Sequence, residues 1–254
     1  MSGPTRCERS DGVTTITLDD PERRNALSTA MLNALGDHLA EASTDPSCRA
    51  VVLANTGPSF CAGADLKGSE PGEPLRHRLA DVLTAIVEHP KPVIGRIGGH
   101  CMGGGVGLAA ACDISLASTE ARFAFTEVTI GVAPAIISVV CLPKLRRADA
   151  LELFLTGERI EAQRAAEVGL VNRAVPPERL DEAVAFVLSA VMRAAPGALA
   201  AAKRLVYDVP GMRRDTAFTW TAELSASLFA SPEAAEGMAA FRERRPPSWA
   251  PGQA

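Results

Sequence analysis

Glu127 is a carboxylate set in apolar sequence. It lies in FAFTEVTIGVAP, Phe123 to Pro134, between Phe125, Val128 and Ile130. Apolar surroundings disfavour a charged carboxyl group and raise its pKa. A raised pKa suits an acid or base working near neutral pH. On local residues alone, a Glu127 that points to solvent fits the pattern equally well. A second stretch, GGHCMGGGVGL from Gly98 to Leu108, runs into a helical segment. Each glycine inside a helix costs about 0.5–1 kcal/mol relative to alanine, so the cluster points to a constraint beyond helix formation. Free N–H groups and a partial positive charge at a helix start can meet a carbonyl oxygen that turns negative during a reaction. One such donor is typically worth about 3 kcal/mol. Close packing of the glycines is the alternative.

Two further stretches have ligand-binding chemistry. SFCAGADL, Ser59 to Leu66, sets Gly63 between two alanines, which lets a ligand approach the backbone. It also reads as an ordinary strand-to-helix loop, with Asp65 capping the next turn. Arg242, Arg244 and Arg245 follow Phe241. Arginines beside an aromatic ring can hold phosphate and adenine, and a solvated helix end is the plainer reading.

Other chemistries find less support. Gly105, Gly107 and Ala110 match G-x-G-x-x-A, the dinucleotide fingerprint. The preceding strand ends several residues too early for its tight turn, and no acidic residue ending a second strand stands at the expected distance. His38, His77, His89 and His100 have no partners at metal-ligand spacing, although His100 lies in the glycine stretch. No G-x-S-x-G elbow occurs. The six cysteines form no close CxxC pair and read as reduced, mostly buried thiols of a cytoplasmic protein.

These segments need a scaffold, and the chain has the means to build one. Its 254 residues are 47% hydrophobic, enough for a sizeable core, and only 4% aromatic, so that core rests on Ala, Val, Leu and Ile. A formal charge of -4 argues against a nucleic-acid partner. The N-terminus lacks the apolar stretch of a secretory signal. The apolar run Val132 to Leu142 falls short of the ~20 residues that span a bilayer, so no membrane association is expected. Val13 to Leu18, Ala50 to Ala54, Pro92 to Ile97 and Ile114 to Ala117 read as strands. Ser28 is a candidate cap for a helix carrying Met31, Leu35 and Leu39. Leu75, Leu79, Val82, Leu83 and Ile86 mark a second helix, and Leu108 to Cys112 a third. Alternation of strands and helices predicts an α/β fold. A helical C-terminal part follows, with apolar faces at Leu180, Val184, Val187, Leu188 and Val191, and at Phe218, Thr221, Leu224 and Leu228. Ser231-Pro232-Glu233 reads as a capped helix start.

Taken together, the segments resemble the crotonase (enoyl-CoA hydratase/isomerase) superfamily. PERRNALS (Pro21 to Ser28), FCAGADLK (Phe60 to Lys67) and KPVIGRIGGHCMGGGVGLAAACD (Lys91 to Asp113) carry the resemblance. FAFTEVTIGVAP, LTGERIEAQRAAEVGLVNRAV (Leu155 to Val175) and SPEAAEGMAAFRERRPP (Ser231 to Pro247) continue it in order. The resemblance implies a β-β-α spiral core over residues 1–195 and a helical region over 196–254 for trimerisation and coenzyme A cover. It implies an acyl-CoA thioester as substrate, homotrimers or hexamers, and no cofactor beyond the coenzyme A of the substrate itself. It gives the Ala64 and Gly104 amides to an oxyanion hole. Ala62, Asp65, Leu66 and Lys67 would line the coenzyme A site, and Phe241 and Arg244 would cover adenine and phosphates, often from a neighbouring subunit. Glu127 matches one of two catalytic glutamates of the hydratases.

The chain departs from that pattern at Gly107, where family hydratases usually carry the other glutamate. GGGVGL with TEVTIGVAPAIIS is similar to a branch assigned to branched glutaconyl-CoA esters, members of which can lack that residue. The expectation is therefore a hydratase adding water across the 2,3 double bond of an enoyl-CoA, with roles in fatty acid and lipid metabolism. A double-bond isomerase using Glu127 alone, and a non-catalytic acyl-CoA-binding protein, remain the alternatives.

Overall fold

A computed structural model describes residues 3–66 and 74–250. Lys67 lies outside the described residues. The chain opens with an antiparallel hairpin, β1 (Thr5–Ser10) and β2 (Val13–Leu18). Helix α1 (Thr29–Thr44) follows, capped as its sequence predicts: the Ser28 hydroxyl accepts from the Met31 amide at 3.2 Å.

Three turns of a repeating unit come next. Each turn lays one strand in a large sheet, one short strand in a small sheet, and then a helix. The first is β3 (Ala50–Asn55), β4 (Ser59–Cys61) and α2 (Leu79–Val87). The second is β5 (Val93–Ile97), β6 (His100–Met102) and α3 (Gly104–Ala111). The third is β7 (Ile114–Ser118), β8 (Arg122–Ala124), a 3₁₀ turn at Thr126–Ile130, and α4 (Ala135–Cys141). After α5 (Arg147–Thr156), β9 (Ile160–Glu161) closes the small sheet antiparallel to β8. After α6 (Ala162–Glu167), β10 (Arg173–Val175) closes the large one. The large sheet runs β1-β2-β3-β5-β7-β10 and the small one β4-β6-β8-β9. This is the β-β-α spiral.

The short apolar strands sit at the centre because both their faces are covered. Along β3, Val51 and Leu53 turn toward α1, α2 and α3, while Ala50, Val52 and Ala54 turn toward α7 (Leu180–Met192). All five are buried, and α7 packs Leu180, Val184, Val187 and Val191 onto that second face. Such a strand reads as an unbroken apolar run rather than an alternating one.

Three more helices complete the chain: α8 (Pro196–Asp208), α9 (Arg214–Phe229) and α10 (Pro232–Glu243), the last capped by Ser231. Lys203 of α8 ties them to the spiral through an ion pair with Asp113 at 2.9 Å, both side chains mostly buried. The expected apolar face of α9 is different. Phe218 is 71% exposed, and α9 buries no residue in the single chain. The second helix also starts later than its apolar spacing suggested. The Asp81 carboxylate accepts from the Arg78 amide at the start of α2, and Leu75 stays outside and exposed. All six cysteines are free, and five are buried. Burial pushes the Cys61, Cys112 and Cys141 thiols up to about 12, so they remain protonated and unreactive. Among the described residues no single helix is long and apolar enough to cross a membrane.

Candidate active site

The PERRNALS loop is held in shape by one buried side chain. Asn25 is fully buried. Its amide nitrogen donates to the carbonyls of Thr56 at 3.1 Å and Ser59 at 2.8 Å, and its oxygen accepts from the Asp20 amide at 2.8 Å. Arg24 and Asn25 both take left-handed backbone, at φ 53°, which the Asn25 bonds keep in place. The loop then grips the next segment. Arg24 accepts from the Ala62 amide at 3.0 Å, Gly63 accepts from the Leu27 amide at 2.8 Å, and the Arg23 guanidinium pairs with the Asp65 carboxylate. Asp65 thus fastens two loops together. Replacing Asn25 by alanine removes all three bonds, leaves the Thr56 and Ser59 carbonyls only their longer bonds from Asn55 at 3.4 and 3.2 Å, and is expected to cost about 2–3 kcal/mol. Urea denaturation should show a lower midpoint at unchanged slope.

The fastened segment lies against the start of α3. Gly63 has φ +87°, and a Cβ built on it would stand 2.8 Å from the Met102 carbonyl oxygen and 3.3 Å from the Gly104 nitrogen. Only a glycine allows this approach. The Ala64 and Gly104 amides therefore belong to neighbouring stretches of backbone, though 40 residues apart in sequence. Neither amide has a hydrogen-bond acceptor among the described residues. Gly104 opens α3, where N–H groups have no partner within the helix.

Glu127 comes to the same place from the third turn of the spiral. A Cβ built on Gly103 would lie 3.2 Å from Glu127 Oε1, so the carboxyl group rests on bare backbone beside Gly104. Glu127 Oε2 is buried and has no hydrogen-bond partner among the described residues. Desolvation by the surrounding chain raises the Glu127 pKa above the ordinary glutamate range. The solvent-pointing alternative for Glu127 is set aside by this placement.

The position opposite is apolar. A Cβ at Gly107 would fall 2.4 Å from Cγ2 of Ile137, which is 2% exposed on α4. Gly105 and Gly107 lie inside α3, which excludes the tight strand-to-helix turn of a dinucleotide fingerprint. Leu66 is 74% exposed beside Asp65. Phe241 is 85% exposed on α10, and Arg244 ends that helix in left-handed backbone. His100 is exposed, and its Nδ1 accepts from the Arg122 amide at 3.2 Å.

A pocket of about 140 Å³ opens next to Ala62, lined also by Arg24, Ser59, His100, Met102, Arg122 and Arg159. Arg122 pairs with Glu161 at 3.1 Å, while Arg24 and Arg159 have no ion-pair partner among the described residues. These arginines were not visible as a group in the sequence, since they come from three separate segments.

The arrangement offers two unengaged amides, one carboxyl group of raised pKa and a cationic pocket. Residues 8–252 match the family model described as enoyl-CoA hydratase/isomerase. The chain belongs to the enoyl-CoA hydratase/isomerase family. A Thermus thermophilus relative, provisionally named enoyl-CoA hydratase, is 38% identical over 92% of this chain and 96% of its own. The (E)-benzylidenesuccinyl-CoA hydratase of Thauera aromatica is 34% identical over 97% of this chain and 98% of its own. The crystal structure of an enoyl-CoA hydratase from Mycobacterium smegmatis superimposes with a TM-score of 0.90 at 37% identity, covering 98% of this chain and 99% of that one. The crotonase-type α/β fold read from the sequence is the fold found.

Proposed function

We propose that this member of the enoyl-CoA hydratase/isomerase family hydrates the 2,3 double bond of an enoyl-CoA thioester, with Glu127 as its acid–base group. One observation carries the reading: the Glu127 carboxyl group, with a buried unpartnered oxygen, rests on Gly103 beside the free Gly104 amide. In the proposed reaction the Ala64 and Gly104 amides donate to the thioester oxygen. Glu127 accepts a proton from water as its oxygen bonds to the β-carbon, and negative charge passes to the thioester oxygen as an enolate. The protonated Glu127 then returns the proton to the α-carbon. Coenzyme A takes part only as a piece of the substrate. Arg24 and Arg159, uncompensated beside Ala62, offer charge for its phosphates. The name of the Thauera relative supports hydration. The exposed Phe218 and Phe229 of α9 support assembly into trimers or hexamers, which would bring Phe241 and Arg244 of one subunit to another.

A second reading, double-bond isomerisation, is favoured by Ile137, which fills the place of a second carboxylate. A single carboxyl group can take a proton from one carbon and return it to another. Mixing the protein with 2-enoyl, 3-enoyl and 3-methylglutaconyl esters of coenzyme A tests both. Loss of the conjugated enoyl absorbance from a 2-enoyl ester is the expected result. Gain of that absorbance from a 3-enoyl ester alone establishes isomerisation. Coenzyme A-dependent thermal stabilisation without turnover of any of the three overturns both.

A further inference from the structure

We infer that Ile137 determines which reaction this site performs, by filling from α4 the place into which a second acid–base side chain on α3 would extend. The inference rests on the reading of Glu127 as the acid–base group.

Gly103 caps α3, and its carbonyl accepts from the Gly107 amide at 3.4 Å, so the two positions are neighbours across the first turn of the helix. The Glu127 carboxyl group lies against Gly103 at that turn. A side chain at 107 would therefore emerge beside Glu127, within reach of the same substrate atoms. The space it needs is taken. A Cβ at 107 would lie 2.4 Å from Ile137 Cγ2 and 2.9 Å from Ile137 Cβ. Ile137 is 2% exposed and has no room in solvent to which it could swing. Even truncation of Ile137 to alanine keeps the Cβ that stands too close, so only glycine at 137 clears the site.

Gly107 and Ile137 are thus one packing unit divided between two helices. Changing 107 alone overpacks the contact, and changing 137 alone empties it. The single-carboxylate site is a property of the pair rather than of a missing glutamate.

A mutant cycle tests this. The parent, Gly107→Glu, Ile137→Gly and the double variant are compared by thermal melting and by hydration of crotonyl-CoA. Each single variant should melt at least 5 °C below the parent. The double variant should recover part of that loss and hydrate crotonyl-CoA at least tenfold faster than either single variant. Additive melting losses overturn the inference. Recovery of melting without a gain in rate overturns it as well, because Ile137 then serves packing only. If Gly107→Glu does not fold, Gly107→Ala replaces it in the cycle. That substitution should lower melting in the parent and raise it in the Ile137→Gly background. An equal penalty in both backgrounds is the overturning result. Glu127→Gln in the parent separates the two levels of argument. Full turnover there sinks the acid–base reading, whereas an essential Glu127 with an additive cycle sinks the Ile137 inference alone.

Discussion

Glu127→Gln is expected to lower kcat by about 10²–10⁴-fold, the usual worth of a positioned acid–base group, while affinity for coenzyme A thioesters is retained. The protein should nevertheless melt no lower than its parent, and higher at pH values where the parent's carboxyl group is ionised. The Glu127 pKa is raised in the folded chain, with burial as the first cause. Between the ordinary glutamate value and that raised value, the folded state holds more protons than the unfolded one. Stability linked to Glu127 is therefore complete below the ordinary value and lost as pH rises through the folded one. Glutamine has no charge to bury and escapes that loss. Glu127 is only partly buried, so solvent screens part of the effect. In the parent, kcat/KM should rise with pH through the raised value, as the carboxylate forms to take a proton from water. The variant should lack that limb. Melting curves and rates from pH 4.5 to 8.5 check all three statements. A variant that loses stability at pH 8 and keeps the acidic limb of the rate profile would show that Glu127 is a structural side chain.

The sequence revealed the parts of this site that depend on local rules. Ser28 and Ser231 look like caps and are caps, each hydroxyl accepting an amide three residues on. The β3 run is recognisable because burial on both faces leaves no polar position to interrupt it. The small sheet was not legible. Its strands run two or three residues, too short to display a period, and their inward side chains Cys61, Cys101 and Phe123 are scattered across three motifs. The hairpin strand β1 went unseen because its ERS end faces solvent and carries no apolar signal. Gly107 was legible as a missing glutamate, but not as a cavity already filled, because the residue that fills it lies 30 positions away. Ile137 reads in sequence as one more member of an apolar run. The same limit applies to Arg24, Arg122 and Arg159, which only the folding of three segments brings to one pocket. Residue type and order thus disclosed the catalytic candidates, while the walls around them required the packing of α3 on α4.

Gly63→Ala should lower kcat by about 10²-fold or more without touching any side chain of the site. Gly63 holds left-handed backbone at φ +87°, and the added methyl group would meet the Met102 carbonyl oxygen at 2.8 Å and the Gly104 nitrogen at 3.3 Å. The strain in backbone is about 1–2 kcal/mol for a residue with a side chain. The contact is relieved only by drawing the Ala64 loop away from the start of α3. The two amides proposed to share the thioester oxygen would then no longer converge on it, and a shift near 1 Å in such a site is worth about 10²-fold in rate. Removal of one oxyanion donor has a similar effect. Stability alone would not identify the cause, since strain anywhere lowers melting. Gly169 supplies the comparison. It also has φ +87°, and a Cβ built there also stands 2.8 Å from a carbonyl oxygen, that of Lys144, beyond α6 and outside the site. Gly169→Ala should lose as many degrees of melting as Gly63→Ala and keep the parent kcat. Gly63→Ala should keep the parent pH profile, because Glu127 is undisturbed, and lose rate at every pH. Equal kcat in the two variants would mean that the approach of these two backbones serves packing, and the oxyanion hole would have to lie elsewhere.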